Sequence, residues 1–289
     1  MKFHCAEGLT PIENYVPLAQ AVEANGFAGF TISDSLIYPK ASDTQYSYTE
    51  DGGREFLENK PFVESFILAT AMLVATKALE VTTNVVKLPV RPPLYSAKLA
   101  ASIAALSGDR FNLGVGSSVW PEDYAAMGVD YARRGKRLDE CIEIVRGLCA
   151  GGYFEFHGEF YDLPPVKINP VPARALPILI GGHSDAALKR AAVNDGFMYA
   201  GGGAEQLAPL LEKLNAFRAE AGTIDRPFRI FATEIGEITT TTIRRLEDLG
   251  VTDVPVIFRN IYAVEEDREP LQDKIDNFAR FADTVIAKL

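Results

Sequence analysis

The sequence predicts an α/β protein built as a (β/α)8 TIM barrel, in a single domain spanning residues 1–289. Three observations point there. Strand-like and helix-like runs alternate eight times along the chain. The helix-to-strand connections are short, whereas those leaving each strand are longer and richer in glycine and polar residues. No shift in composition marks a second domain, and 289 residues suit one large barrel. An open, doubly wound sheet is the competing arrangement.

Residues 3–6 read as strand one. Thr10-Pro11 opens a helix with proline at its first position, apolar on Val16, Ala19 and Val22, and Asn25-Gly26 closes it. Strand two, 27–32, ends in Ser33-Asp34-Ser35. The polar stretch 38–59 has no helical period, and a loop of that length is expected to be functional or disordered. Helix 62–76 precedes strand 79–88, which is rich in Val and Thr and is broken by Pro89, Pro92 and Pro93. Helix 95–106 follows.

Strand four, 110–115, runs into Gly116-Ser117-Ser118. The basic run Arg133-Arg134-Gly135-Lys136-Arg137 then leads a helix with Leu138, Ile142, Val145 and Leu148 on one face. Residues 151–176 hold two short aromatic strands and several prolines, and read as an insertion after helix four. Strand five, 177–180, ends in Gly181-Gly182-His183-Ser184 before helix 185–193. Strand six, 195–200, ends in Gly201-Gly202-Gly203 before helix 205–221. Strand seven, 228–233, leads to Glu234 and a helix that begins near Gly236-Glu237 and closes at Gly250. Strand eight, 254–259, ends at Arg259, and helix 270–289 follows.

A net charge of −10 argues against nucleic acid or an anionic membrane as partner. It leaves room for an anionic cofactor, because backbone amides and a few local cations hold a phosphate even in an acidic protein. Cys5, Cys141 and Cys149 are too few and scattered for a disulfide framework or a zinc site, which suggests a reducing cytoplasm. No leader is read before strand one, and no apolar run approaches the roughly 18 residues that span a bilayer. A soluble, cytoplasmic protein is expected. The three histidines lie far apart, so no metal is expected.

In a barrel the loops after the strands form the working face. Glycines gather there after strands four, five and six, at Gly116, Gly181, Gly182, Gly201 and Gly202, where bare backbone can approach a ligand closely. Gly182-His183-Ser184, directly before a helix, is the best phosphate candidate. Gly114-Val115-Gly116 lacks the third glycine of a dinucleotide fingerprint, and no P-loop, HExxH or Gly-x-Ser-x-Gly is present. A hydrolase or aldolase would need a lysine or a metal cluster at the strand ends, and neither is evident. For proton transfer, Asp34 at the end of strand two and Glu122 beside Asp123 are the catalytic candidates, with His183 assigned to cofactor contact. Cys5 at the end of strand one is a candidate pocket wall, and the Tyr and Phe residues of 38–56 a candidate lid.

The runs LSGDRFNLGVGSSVWPEDYAAMGVDYARRGKRLDE and LPILIGGHSDAALKRAAVNDGF, with AVEANGFAGFTISDSLIYP and TTNVVKLPVRPPLYSAKLAASIAALSGDRF, carry a resemblance. Over nearly residues 3–200 the chain resembles the bacterial luciferase-like monooxygenase superfamily, and within it the branch of F420-dependent oxidoreductases. The resemblance implies a luciferase-like barrel with its insertion after helix four, a homodimer packed through helices, and a flavin-type cofactor at the C-terminal face. It implies hydride transfer between coenzyme F420 and a small organic substrate. An FMN-dependent monooxygenase using O2 and reduced FMN is the alternative, and a non-catalytic flavin- or F420-binding protein the third reading. It further implies a cis peptide at Asn84–Val85 against the cofactor ring, with Gly116, Ser117 and Ser118 forming the opposite wall. Two departures stand out. Ser35 replaces a family histidine, and Ser118-Val119 replaces a small-then-aromatic pair, although Trp120 follows. The basic run matches a family pattern and is expected to be a solvated face with local ion pairs.

Overall fold

The computed structural model describes residues 1–46, 49, 51–233 and 238–289. Eight parallel strands close on themselves: β1 (Lys2–Cys5), β2 (Gly29–Ile32), β3 (Glu80–Thr83), β4 (Phe111–Gly116), β5 (Ile178–Gly181), β6 (Gly196–Met198), β7 (Arg229–Phe231) and β8 (Asp253–Val256). Each pairs with its neighbour in the chain, and β8 pairs back to β1 with Lys2 opposite Asp253 and Cys5 opposite Val256. That last pairing makes the sheet a barrel and excludes the open arrangement. The helices that cover it are α1 (Tyr15–Ala24), α2 (Ser65–Ala75), α3 (Pro93–Ser107), α4 (Arg134–Cys149), α5 (Asp185–Ala192), α6 (Ala204–Glu220), α7 (Thr240–Asp248) and α8 (Leu271–Thr284). Among the described residues no helix is long and apolar enough to cross a membrane.

The elements form where the apolar pattern places them, with three local differences. Pro11 stands before a short 3-10 turn, Ile12–Asn14, and α1 starts only at Tyr15, because Pro11 is extended at ψ 137°. The strand read over 79–88 is interrupted. β3 stops at Thr83, and Val86–Lys87 resumes beside Val115 and Gly116 of β4. Helix α7 starts at Thr240, where the Thr239 hydroxyl accepts the Thr242 amide at 3.3 Å. Glu234 and Gly236-Glu237, named for that region, lie outside the described residues.

The insertion is an antiparallel hairpin of Phe154–His157 with Asp162–Val166. Glu140 of α4 seats it by accepting the amides of Glu159, Phe160 and Tyr161 at 2.8, 2.9 and 3.2 Å. Part of the basic run packs on this hairpin, adding ring contacts to the local ion pairs expected of a solvated face. Arg137 lies 4.2 Å from the centre of the Phe160 ring, and Arg133 pairs with Glu159.

Inside the barrel, side chains are layered. At the N-terminal end His4 Nε2 lies 2.7 Å from Asp253, Arg229 donates to Asp253 and to Glu80, and Lys2 reaches Glu80. Leu179, Met198 and Phe231 form the next layer, with Val85 against it. Gly114 faces this narrow interior. A Cβ there would stand 1.9 Å from the Thr83 carbonyl oxygen and 2.6 Å from Met198 Sδ. His4 thus belongs to the closed end of the barrel and not to the working face. Cys5, placed at that face from sequence, is fully buried in the outer core, where burial pushes its thiol well up.

The His4 layer predicts an acid response. Burial lowers the His4 pKa, and Asp253 opposes this only in part. Burial also works against the Asp253 carboxylate, but hydrogen bonds from His4 and Arg229 hold it well below the usual range. A histidine whose folded value lies below about 6.5 takes up its proton more readily when unfolded, so stability falls as pH drops through that region. The Asp253 contribution is present above about pH 4 and is lost below it. The urea midpoint should therefore decline between about pH 7.5 and 5. His4→Gln should flatten that window, and an unchanged slope would remove His4 as its source.

Candidate active site

At the C-terminal mouth the peptide Asn84–Val85 is cis. The Val85 side chain fills the space above the ends of β4 and β5. A Cβ on Gly116 would stand 2.8 Å from one Val85 methyl, and one on Gly181 would stand 2.9 Å from the other. These two glycines, expected to bare their backbone to a cofactor, are glycines first because Val85 sits between them.

Asp34 holds this arrangement from the side. Its carboxylate accepts Arg91 Nη2 at 2.6 Å and Nη1 at 2.9 Å, the Ser65 hydroxyl at 2.8 Å and the Lys87 amide at 3.0 Å. The side chains of Arg91 and Asp34 are 9% and 1% exposed. Four donors on two oxygens leave no direction from which a substrate proton could arrive. Asp34, a candidate base from the sequence, here ties the loop after β2 to the start of α2 and to the chain beyond Val85.

Lys87 extends from this knot to Asp123 at 2.6 Å. Asp123 lies on a short helix, Pro121–Ala126, and also accepts the Ser118 hydroxyl at 3.1 Å. Ser118 adopts φ 59°, and its oxygen accepts the Trp120 amide at 3.0 Å, while the Ser117 carbonyl accepts the Tyr124 hydroxyl. The Ser117-Ser118 loop is therefore held internally. With Asp123 committed, Glu122 faces a solvent-open cleft of about 210 Å³ together with Ser35, Tyr38, Arg54, Lys87 and Trp120. Glu122 Oε2 is buried without a hydrogen-bond partner among the described residues.

The cleft is roofed by the long loop. Tyr46 stacks on Trp120 at 6.0 Å between ring centres, and Phe56 meets both Tyr46 and Tyr262 edge-on at 5.2 Å. Tyr46 and Phe56, from the stretch named as a candidate lid, thus cluster with Trp120 and Tyr262, while Ser47, Tyr48 and Glu50 lie outside the described residues. Sequence reasoning did not single out Arg91 or Arg54. Neither belongs to a periodic pattern, and each acquires meaning only from partners distant in sequence or from a fold of its own loop.

The residues after β5 and β6 form a second group, not among those lining the cleft. Gly181 pairs with Met198, which brings the loops Gly182–Ser184 and Gly201–Gly202 side by side. Gly182, Gly201 and Gly202 have φ of 120°, 78° and 64°. The Ser184 hydroxyl caps α5 by accepting the Ala187 amide at 3.2 Å. The His183 ring lies 4.9 Å from that of Tyr199, its Nε2 accepts the Ala200 amide at 3.4 Å, and burial lowers its pKa. A neutral imidazole offers a phosphate less than a cation would, so the helix start is the more persistent anion-favouring feature.

Comparison with known proteins bears on this mouth. Residues 3–236 match the family model described as luciferase-like monooxygenase. An uncharacterised protein of Mycobacterium tuberculosis is 53% identical over 289 residues, which is 100% of both chains. Monooxygenase RslO1 from Streptomyces bottropensis superposes with a TM-score of 0.76 at 17% identity, covering 100% of this chain and 99% of that one. Coenzyme F420-dependent tetrahydromethanopterin reductase from Methanopyrus kandleri gives a TM-score of 0.74 at 14% identity over 99% of each chain. At such identities the two structures speak for the fold.

Asp34 and Arg91 are both nearly dry. Removing the Asp34 charge leaves Arg91 only the longer 3.5 Å contact to Glu64 and the Lys87 carbonyl, and removing Arg91 leaves Asp34 with no cationic partner among the described residues. Asp34→Asn should cost about 3–5 kcal/mol of unfolding free energy. Asp34→Leu combined with Arg91→Met should lose less than the sum of the two single changes. Denaturant unfolding of the unaltered protein and these variants tests this, and additive losses would show that the two side chains act separately.

Proposed function

The chain belongs to the luciferase-like monooxygenase family, and we propose that it is an oxidoreductase that uses a flavin-type cofactor at the barrel mouth. Coenzyme F420 is the first reading, on branch resemblance, with a small organic molecule as the partner in hydride transfer. FMN is the second, favoured by the monooxygenase description that the family carries. The observation that carries the proposal is the juxtaposition at the mouth. A backbone floor at Asn84–Val85, flanked by Gly116 and Gly181, adjoins a cleft walled by an unpartnered carboxylate at Glu122.

The residues present fit such a group. Asn84 and Val85, with Gly116, Ser117 and Ser118, would hold the ring. Gly182, His183 and Ser184 at the start of α5, with Gly201 and Gly202 beside them, would hold the phosphate-bearing tail, where free amides and the helix dipole favour an anion. When bound, a deazaflavin supplies a site that takes or gives hydride, and a reduced flavin supplies a centre that activates O2.

The chain's own residues position and protect the reacting groups. Glu122 is assigned to hold or move the proton at Oε2. Asp34 and Arg91 fix the floor. The aromatic lid excludes water. A homodimer packed through helices completes the proposal on family resemblance.

Titration of the purified protein with FMN and with F420, followed by ring fluorescence, tests the cofactor. Saturable binding of one at micromolar concentration is expected, and binding of neither would overturn the redox reading. Glu122→Gln should lower kcat by about 10²–10⁴-fold if it carries the proton, with cofactor affinity unchanged. An unaffected kcat would remove that role.

A further inference from the structure

The cleft contains a buried cation for which no hydrogen-bond acceptor is found among the described residues. Arg54 is 8% exposed, and its guanidinium carbon lies 4.8 Å from the centre of the Tyr38 ring and 5.7 Å from that of Trp120. Its Nη1 is buried with no hydrogen-bond partner among the described residues. Other buried cations have acceptors in the protein, including Arg218, although its Nε is also without a partner among the described residues. Arg91 has Asp34, Arg229 has Asp253 and Glu80, and Lys274 has Asp267 and Glu269. Arg218 gives one nitrogen to the carbonyls of Thr223, Ile224 and Arg226. Ring faces attract a cation but do not take up its N–H groups as a carboxylate does. A buried charge left in that state is costly, and in a cleft open to solvent a ligand can supply what the protein does not.

The surroundings define the ligand. Lys87 is neutralised by Asp123 at 2.6 Å, Lys60 donates to the Glu265 carbonyl, and Glu58 is exposed. Leu36, Ile37, Leu57 and Phe62 supply apolar wall. Glu122 Oε2, also unpartnered, needs a donor and repels a multiply charged anion.

We propose that Arg54 is the anion subsite of this cleft and takes the carboxylate of a small, partly apolar organic acid that also carries a hydroxyl or N–H group. The guanidinium presents a planar fork that a carboxylate meets with two parallel hydrogen bonds. Tyr38 and Trp120 hold that fork in place, and Glu122 accepts the hydrogen of the ligand's second polar group. That this acid is the molecule oxidised or reduced rests on the cofactor reading above; the anion subsite itself does not.

Trp120 is the only tryptophan of the chain, so its fluorescence reports this wall without any cofactor. The probes are mandelate, which has a carboxylate, a hydroxyl and an apolar ring, its neutral counterpart mandelamide, and inorganic phosphate. Mandelate should give a saturable change and bind at least about tenfold more tightly than mandelamide, the scale of a hydrogen-bonded charge. Arg54→Gln should abolish that preference. Arg54→Lys, which keeps the charge but not the fork, should weaken mandelate and leave mandelamide unchanged, and it serves as the test should Arg54→Gln fail to fold.

The inference is overturned by equal affinity for mandelate and mandelamide, by no binding of either, by a preference for phosphate, or by a mandelate preference that survives Arg54→Gln. Because no cofactor is added, failure of FMN or F420 to bind leaves this readout intact. Failure of mandelate likewise leaves the cofactor titration interpretable.

Discussion

The mouth of the barrel depends on the saturation of one buried carboxylate. Taking Asp34 out of water alone would cost several kcal/mol, and the cost is offset only because every acceptor direction is filled, two of them by the fork of Arg91. The remaining donors come from different parts of the chain, Ser65 at the start of α2 and the Lys87 amide beyond β3. One side chain thereby fixes three segments relative to one another. Val85 is held between Gly116 and Gly181, and Lys87 is aimed at Asp123. Asp123 in turn fixes the short helix that leaves Glu122 facing the cleft. Positions at the mouth follow in sequence from that one constraint.

Charges elsewhere are allotted by the same logic to opposite ends of the barrel. The N-terminal end uses His4, Asp253, Arg229 and Glu80 as a closed set that serves stability. On the other face, Arg259 pairs with Glu7 at 2.7 Å, while Lys274 of α8, 1% exposed, pairs with Asp267 and Glu269 at 2.9 Å each. This second set fastens the β8–α8 loop over the end of β1, and that loop carries Tyr262 into the aromatic roof. The roof therefore rests on an anchored element on one side and on the long loop on the other. A lid built this way can yield through its long loop while its other edge stays fixed.

The barrel was legible in the sequence because alternation of strand and helix is a local property that eight repetitions make hard to mistake. Boundaries were less so. β7 ends at Phe231 and β3 at Thr83 for reasons that lie in neighbouring strands and in the turn at Asn84. The site was legible as a face and not as chemistry. The sequence shows Asp34 only as a carboxylate at a strand end, a candidate base, while its partner Arg91 stands 57 positions away. Gly116 and Gly181 were recognised as places needing bare backbone, but the atoms that need it are those of Val85. The Asn84–Val85 geometry came through resemblance, since no composition or period announces it. Arg54 sits in an aperiodic loop, and only the folded loop shows that aromatic rings flank it and that no described residue accepts its Nη1.

What remains chemically available at the cleft then narrows by elimination. Ser35, in the place of a family histidine, lines the cleft but directs its hydroxyl to the Ile37 carbonyl at 3.3 Å. Asp34 and Asp123 are committed to Arg91 and Lys87. Among the described residues lining the cleft, the side-chain atoms buried without a partner are Glu122 Oε2 and Arg54 Nη1. One is an acceptor and the other a donor, on the walls of the same small space. A ligand with a single polar group can satisfy only one of them and leaves the other stranded, which costs about 1–3 kcal/mol for a neutral group and more for a charged one. A ligand that satisfies both has its orientation set by charge before any cofactor contact is made. On that argument Ser35, where the resemblance implies a histidine, does not leave the cleft without polar chemistry: under the proposal above, discrimination among ligands would rest on a carboxylate and a guanidinium.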